Sequence, residues 1–437
     1  MKHIFKSMMA QRRRNIWLFL EMIIVSVVTW VVIDPVMVLL SIGSWPHGYD
    51  QDRLVYMEVG LIKPSSSRYS EEAADSAKMK DAFNVILNRI KSMPDVESVT
   101  PISTGMRLDG GWSSQVSMSY TNEEGDTLRV NPFVYSVPVN MDYFTTYGIK
   151  AADGSPSAAE LSNISMAPTD IIITESLAVE MFGDGGSYIG RTTAEKFEGM
   201  PDGRRVVGVV EDVRPWQSKG VSRVMWYGNN YNINDGIENT AVAVRISDAT
   251  SPSQWIADHG DNVRADSYVG NLYIKYVSTY ADAARSTWQE RSAKSEKRLK
   301  IVLLIFFLVN LSLGVVGTFY LQTRQRSRDA GIMKSFGATC GNIFRNLTLE
   351  SMLITFAGWL IGCLLYLNYA FKEGLSAGID WNMDYLPKES WIVDFWTHYA
   401  IVSLTVLVIL LIIVFFGVSM PARRISRIDP VTALREE

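Results

Sequence analysis

Apolar residues along this chain fall into four dense blocks, and one long polar stretch separates the first from the rest. The blocks run from Asn15 to Ile42, Ile301 to Leu321, Leu347 to Ala370 and Tyr399 to Met420. A helix needs roughly 20 mostly apolar residues to cross a ~30 Å hydrocarbon layer. The pattern therefore predicts transmembrane helices over 15–42, 301–321, 347–370 and 399–420. The first block follows Arg12, Arg13 and Arg14, as a signal peptide would. It is longer than a signal h-region and no A-x-A site follows it, so it predicts a retained helix. At ~1.5 Å per residue it reaches roughly 40 Å and should protrude beyond the bilayer. No comparable run occurs from Gly43 to Lys300, so residues 43–300 form a large domain outside the membrane.

Lysine and arginine in short flanks set orientation. The N-terminal segment 1–14 carries Lys2, Lys6 and Arg12 to Arg14. The 322–346 loop carries Arg324, Arg326, Arg328, Lys334 and Arg345, and the 421–437 tail carries Arg423, Arg424, Arg427 and Arg435. The 371–398 loop has only Lys372 and Lys388 against Glu373, Asp380, Asp384, Glu389 and Asp394. Both termini and the 322–346 loop are therefore expected in the cytoplasm. Trp381, Trp391 and Trp396 fit an interfacial belt on the outer side.

Within the outer domain, Arg53–Gly60 alternates apolar and polar residues and predicts a strand. Ser70 with Glu71 and Glu72 predicts a helix start, and Ala82, Phe83, Ile86, Ile90 and Met93 recur on one helical face until Pro94. Val96–Thr100 predicts the next strand. A second β-α-β unit is expected through Val242–Ile246, a helix near Gln254–Val263, and Leu272–Val277. The intervening stretch is strand-rich (QVSMSY, TLRVNPFVY, DIIIT, RRVVGVV). The expected architecture is an integral membrane α-helical protein with a large α+β extracytoplasmic domain. Its α+β lobe would comprise 50–105 and 239–278, with a β-rich lobe inserted over 106–238. Residues 279–300 are highly charged with few breakers and predict a helical stalk.

Composition adds boundaries. The hydrophobic fraction is 47% while the mean hydropathy is only +0.06, as expected when apolar blocks are diluted by a polar domain. A net charge of −4 with no long basic run argues against nucleic acid as a partner. Both cysteines, Cys340 and Cys363, lie in the C-terminal third, so the outer domain must fold without disulfides.

Candidate chemistry is sparse. Gly185–Thr192 (GGSYIGRT) matches P-loop spacing except that Arg191 replaces the lysine, and no buried strand precedes it; a turn is expected. His3, His47, His259 and His398 are scattered, and none pairs with cysteine or acid at metal-ligand spacing. No hydrolase signature is present. The sequence therefore predicts no catalytic residues, no bound metal and no cofactor on this chain. Glu21 and Asp34 are acids within the first span, a functional hypothesis by default. Glu21 can instead pair with Arg12–Arg14, and Asp34 can sit near the outer interface. Asn310 and Ser312 can hydrogen-bond a neighbouring helix, with Gly314 close by. Gly358 and Gly362 form GxxxG, which suits packing within one chain or between two.

The segment RSRDAGIMKSFGATCGNIFRNLTLESMLITFAGWLIG, Arg326 to Gly362, carries the most information. Ile332, Met333 and Phe336 share a short helical face, and Gly337 suits a helix end in the left-handed conformation. Such an amphipathic helix suits docking into a protein groove or lying on lipid headgroups. Arg328, Asp329, Gly331, Lys334, Gly337 and Ala338 resemble the R-E-x-G-x-x-K/R-x-x-G-A signature of MacB/FtsX-type ABC-transporter permeases, with Asp329 where that family has glutamate. The tail PARRISRIDPVTALREE resembles the family's C-terminal signature through Pro421, Ala422, Arg423, Pro430, Ala433, Leu434 and Arg435. VNMDYFTTYGI, IIITESLAVEMFG and RVVGVVEDVR look like segments of its periplasmic core domain.

The resemblance implies a permease of a bacterial inner membrane without an ATPase of its own. A separate cytoplasmic ABC ATPase, holding ATP and Mg, would bind Arg328–Ala338, and a second permease chain would pair with this one as a homo- or heterodimer. A periplasmic adaptor or outer-membrane channel is a further implied partner, beside membrane lipid. ATP-driven motion would pass through the helices to the outer domain and move a peptide, drug or lipoprotein-like substrate from the periplasmic side. The alternative is a transmembrane activator that controls a periplasmic partner such as a cell-wall hydrolase.

Overall fold

The computed structural model describes residues 12–105, 107–108, 114–121, 127–138, 141–183, 185–193, 203–216, 220–229, 239–376, 384–385 and 390–427. In chain order the elements begin with helix α1 (Arg12–Gly43), strand β1 (Leu54–Leu61), α2 (Ser76–Lys91), β2 (Val96–Ser103), β3 (Ser114–Gln115), β4 (Met118–Thr121), β5 (Thr127–Val130) and β6 (Phe133–Pro138). They continue with α3 (Tyr143–Tyr147), α4 (Ala158–Asn163), β7 (Asp170–Thr174), α5 (Glu175–Phe182), β8 (Arg205–Val210), β9 (Val221–Ser222), β10 (Val224–Asn229) and β11 (Thr240–Ile246). The last are α6 (Pro252–Asp266), β12 (Leu272–Thr279), α7 (Tyr280–Arg285), α8 (Trp288–Arg324), α9 (Ser327–Ser335), α10 (Cys340–Glu373), β13 (Asp384–Tyr385) and α11 (Phe395–Ser426).

The chain divides into two units. The first gathers Met1–Ser41, Ser295–Gly378 and Lys388–Glu437. Its helices α1, α8, α10 and α11 are each long and apolar enough to cross a membrane. On α11, Val402, Val406, Leu410, Val414, Val418 and Ala422 recur every fourth residue and are all buried, so they form one continuous ridge. Leu18, Met22, Val25, Trp30 and Ile33 of α1 pack into the same core, as do Ile354, Cys363 and Tyr366 of α10. From α8, Val315 and Phe319 join it. Gly417 of α11 lets α8 approach closely: a Cβ there would lie 3.1 Å from the Val316 Cα. The helices outrun the predicted spans. Helix α10 begins at Cys340, inside the segment predicted as the 322–346 loop, and α11 continues through Pro421 to Ser426, inside the predicted tail.

The second unit comprises Ile42–Lys294 and Ile379–Pro387. A four-stranded antiparallel sheet, ordered β12-β1-β11-β2, joins strands from both ends of the segment, with Val55 opposite Val244 and Met57 opposite Val277. Its β1 does not show the predicted in-out alternation: Leu54, Val55, Tyr56 and Met57 are all buried. Both faces are covered, and a strand covered on both faces reads as a continuous apolar run. Val55, Met57 and Val59 pack beneath Phe83, Ile86 and Ile90 of α2 and Trp255 and Val263 of α6. Leu54 and Tyr56 face the other way, into a core shared with the second sheet.

That second sheet has the order β3-β6-β10-β7-β8, with parallel β6–β10 and β7–β8 pairs around an antiparallel β7–β10 pair. Helices α3, α4 and α5 lie in the same stretch, so the inserted lobe is mixed α/β rather than only β-rich. Its central strand β10 (VMWYGN) was not among the predicted strands. Strand β13, from the segment between α10 and α11, pairs with β9 through Asp384–Ser222 and Tyr385–Val221.

Two further expectations need correction. The cap of α2 is Asp75, whose carboxylate accepts from the Ala77 and Lys78 N–H groups at 3.0 and 3.3 Å. Ser70 instead starts a single 3-10 turn over Glu72–Ala74, with its backbone N–H held by the Asn271 side chain. The stalk predicted over 279–300 starts later. Thr279 caps the short α7, and Tyr280, Ala283 and Ala284 are buried in the outer unit's core. The long helix begins only at Trp288. Charge and helix propensity marked 279–300 as one helix, but burial of Tyr280 overrides them at its start.

Candidate functional site

The 326–350 segment folds as a braced helical turn. The Arg326 guanidinium grips the Glu350 carboxylate with two nitrogens, one contact being Nη2 to Oε1 at 2.9 Å, and both side chains are buried. Two opposite charges, one at the N-cap of α9 and one ten residues into α10, thus fasten the root of α9. Ala330 packs against Ile343 of α10 and Ile425 of α11, with Ala338 and Leu347 beside them. Gly331 is also buried. Arg423 of α11 lies over the Phe344 ring, 5.7 Å from its centroid.

Helix α9 ends in a Schellman motif. The Gly337 N–H donates to Lys334 O at 2.9 Å, and the Ala338 N–H donates to Met333 O at 3.0 Å. Gly337 has a φ of +89°, the left-handed conformation that favours glycine. Thr339 then caps α10 by accepting from the Asn342 N–H. Opposite the packed side, Ile332 and Met333 are exposed, and Phe336 is 88% exposed. Asp329 and Lys334 are partly exposed beside them; for Arg328 only the backbone, in α9, is described. The tail residues Pro430, Ala433, Leu434 and Arg435 lie outside the described residues. The result is a rigid, two-faced element whose apolar face is aimed away from its own bundle. Burying a largely exposed phenylalanine would be worth about 2–3 kcal/mol.

The other residues singled out in the spans separate cleanly. Gly358 and Gly362 meet α1, where an added Cβ would lie 2.6 Å from Met22 Cβ and 2.7 Å from Ser26 Cβ respectively. The GxxxG face is thus used within the chain. Gly314 has nothing within 4 Å of such a Cβ, and exposed Asn310 donates to Phe306 O of its own helix at 2.8 Å. Glu21 accepts from the Thr318 hydroxyl of α8 at 3.2 Å. Asp34 is buried against His398, a partner that sequence spacing could not suggest. Glu350 and Gly417 were likewise missed: neither belongs to a motif with a local period.

In the outer unit, the chain leaving α1 and the chain leading to α8 are anchored at one aromatic cluster. The Arg214 side chain donates to Ile42 O, its backbone N–H donates to His47 O at 2.8 Å, and the Asp50 N–H donates to Tyr147 O at 2.8 Å. The Tyr147 and Tyr280 hydroxyls are 2.9 Å apart, Tyr280 donates to Leu108 O, and Arg107 Nη2 donates to Ala283 O at 2.9 Å. Burial pushes the Tyr147 and Tyr280 phenols well above their ordinary range, so both act as neutral hydrogen-bonding groups. Burial, and then the nearby Arg214 charge, push the His47 imidazole down. The GGSYIGRT segment is a turn after α5. Gly185, Gly186 and Gly190 have positive φ, and Arg191 donates to Phe182 O at 3.1 Å, so its guanidinium serves the preceding helix end.

Comparison with known proteins bears on the bundle first. Residues 301–430 match the family described as FtsX-like permease C-terminal. The chain is 22% identical over 445 residues to the macrolide export ATP-binding/permease protein MacB of Acinetobacter baylyi, covering 99% of this chain and 58% of that protein. It is 24% identical over 304 residues to the protein of the same name from Chromobacterium violaceum, covering 69% and 43%. To the uncharacterized ABC transporter permease YknZ of Bacillus subtilis it is 33% identical over 125 residues, 29% of this chain and 28% of that one. The chain thus spans about half the length, or less, of these curated relatives. Among solved structures, the periplasmic region of MacB from Actinobacillus actinomycetemcomitans aligns with 16% identity and a TM-score of 0.30, over 56% of this chain and 97% of that one.

Proposed function

We propose that the chain is an ABC permease of the MacB/FtsX type, to which it is similar over its bundle and along most of its length, and that it couples a cytoplasmic ABC ATPase to its outer domain, with α9 as the docking element. The observation that carries this reading is the exposed Ile332, Met333 and Phe336 face on a helix locked by the Arg326–Glu350 pair and the Gly337 cap. A rigid apolar knob fits a groove on another protein, and bracing lets a push on the knob reach α10 and α11 rather than bend the loop. ATP and Mg would bind the partner. The outer domain, anchored to both incoming chains at the Tyr147–Tyr280 cluster, would receive the motion. The work would be export of a peptide, drug or lipoprotein-like substrate taken from the periplasmic side by a pair of such chains. The ATPase drives this only by binding the two bundle arrangements with different affinity.

The test is affinity purification of the full chain from its native membrane, with and without ATP, followed by mass spectrometry. A P-loop ATPase should accompany the wild type and be depleted at least tenfold with Phe336→Asp. If no ATPase is found under either condition, the coupling reading fails. An ATPase retained fully by Phe336→Asp would assign the exposed face to lipid headgroups instead.

A further inference from the structure

Asp34 and His398 are ionisable groups inside the bundle that the coupling scheme does not use. Their side chains are 2% and 1% exposed, and Asp34 Oδ1 lies 2.6 Å from His398 Nε2. The second carboxylate oxygen, Oδ2, accepts from the Ser376 N–H at 3.1 Å. The second ring nitrogen, Nδ1, faces the Ile392 carbonyl at 3.3 Å. All four polar atoms therefore have partners, and the chemistry of those partners constrains the protons. A neutral imidazole carries one N–H, so it can satisfy one acceptor. Here both ring nitrogens face oxygens, one of a carboxyl group and one of a peptide. Two proton arrangements satisfy these atoms: an imidazolium donating through both nitrogens to a carboxylate and the peptide oxygen, or a neutral ring donating through Nδ1 and accepting at Nε2 from the Asp34 acid. The Ser376 N–H at Oδ2 favours the first, because a backbone donor stabilises the charged form of a carboxylate. Charge and countercharge cancel, as burial in an apolar bundle requires.

The surroundings favour this state. Trp391 lies edge-on to the His398 ring at 4.9 Å, and its indole N–H donates to Ser41 Oγ at 3.0 Å, closing the pair off on that side. From α10, the phenol of Tyr366 is the titratable group in electrostatic reach of Asp34. Its ring is stacked on Trp30 of α1 at 4.0 Å. Among the described residues, no lysine or arginine forms an ion pair with Asp34. In the ionised arrangement the positive charge facing Asp34 is that of His398.

We propose that Asp34 and His398 form a carboxylate–imidazolium latch, a proton-dependent clasp that ties α1 to the first turn of α11 and to the chain leaving α10 at Ser376. Three segments meet at the two side chains. Any opening of this end of the bundle must either break an ion pair in an apolar setting or carry the pair along intact. A neutral hydrogen bond would impose a much smaller barrier. The latch stands apart from the proposed docking of α9 and would hold or fail independently of it.

The test uses the full chain in lipid nanodiscs with 15N-labelled histidine, read by solid-state NMR at pH 7. The chain has four histidines, and the His398 signals are identified by their contact with a 13C-labelled Asp34 carboxyl carbon, which needs no variant. Both ring nitrogens of His398 should be protonated. With Asp34→Asn, the ring should drop to one proton. A singly protonated His398 in the wild type overturns the proposal. Thermal unfolding gives a second reading. Asp34→Asn and His398→Gln should each lower the melting temperature by roughly 5–10 °C, and the double variant by no more than the worse single one. Additive losses in the double variant would refute the latch, because independent sites add and coupled ones do not.

Discussion

Replacing Gly362 by alanine probes the seam between α1 and α10. The added Cβ would stand 2.7 Å from Ser26 Cβ, 2.8 Å from Ser26 Oγ and 3.0 Å from the Ile23 carbonyl oxygen. Ordinary carbon contacts lie at ~3.5–4.0 Å, so α1 must retreat by about 1 Å. A rotamer change cannot relieve this, since the Ser26 Cβ and the Ile23 oxygen are fixed by the helix backbone. Gly358 repeats the situation one turn earlier, with Met22 Cβ at 2.6 Å and the Met22 backbone carbon at 3.3 Å. Overpacking of this kind costs about 1–3 kcal/mol, while helix propensity favours alanine over glycine by about 1 kcal/mol. Each substitution should therefore cost roughly 0–2 kcal/mol net. A single retreat of α1 relieves both clashes, so the double variant should cost less than the sum. Gly314 on α8 supplies the control. It has open space around a new Cβ, so Gly314→Ala keeps the propensity gain alone and should melt at or slightly above the wild type. Unfolding in detergent, followed by tryptophan fluorescence, reads the wild type and the four variants. If Gly358→Ala and Gly362→Ala melt like Gly314→Ala, helices α1 and α10 do not meet along this face.

Glu350→Ala should strip the buried Arg326 guanidinium of its carboxylate and cost about 3–5 kcal/mol, seen as a lower melting temperature and faster trypsin cleavage between Arg326 and Lys334. The outer unit should lose stability on acidification because of His47, whose imidazole is pushed below its unfolded value by burial and Arg214. As pH falls through about 6.5 the unfolded chain takes up this proton before the folded one, so stability drops until the folded group is also protonated. Melting curves between about pH 8 and pH 5 should show this slope in the wild type and a flatter one in His47→Gln.

The contrast between what could be read from sequence and what could not follows particular residues. The Arg328–Ala338 segment stood out because its chemistry is local. A three-residue apolar face, a left-handed glycine and a following cap all fall within a dozen positions. The orientation of that face was not readable, since Ile332, Met333 and Phe336 look alike whether they pack inward or outward. Ala330 and Gly331 took the inward side because Ile343 and Ile425 were there to meet them. The stalk boundary failed for a related reason. Residues 279–300 look uniformly polar and helical, yet Tyr280 finds Tyr147 and Leu108 and, with Ala283 and Ala284, sits in the outer core.

Sequence by itself determined the four spans. In lipid each backbone N–H and C=O must be satisfied within its own helix, so a span is a local property that hydropathy and length can report. It also determined that the segment between the first and second spans is a separate α+β body, because a polar stretch with strand periods cannot stay in hydrocarbon. Only the tertiary structure decided which polar groups share a charge. Asp34 and His398 are 364 positions apart, and Arg326 lies between α8 and α9 while Glu350 lies in α10. No local pattern records such pairings, because they depend on where helix packing brings two side chains once the apolar faces have closed.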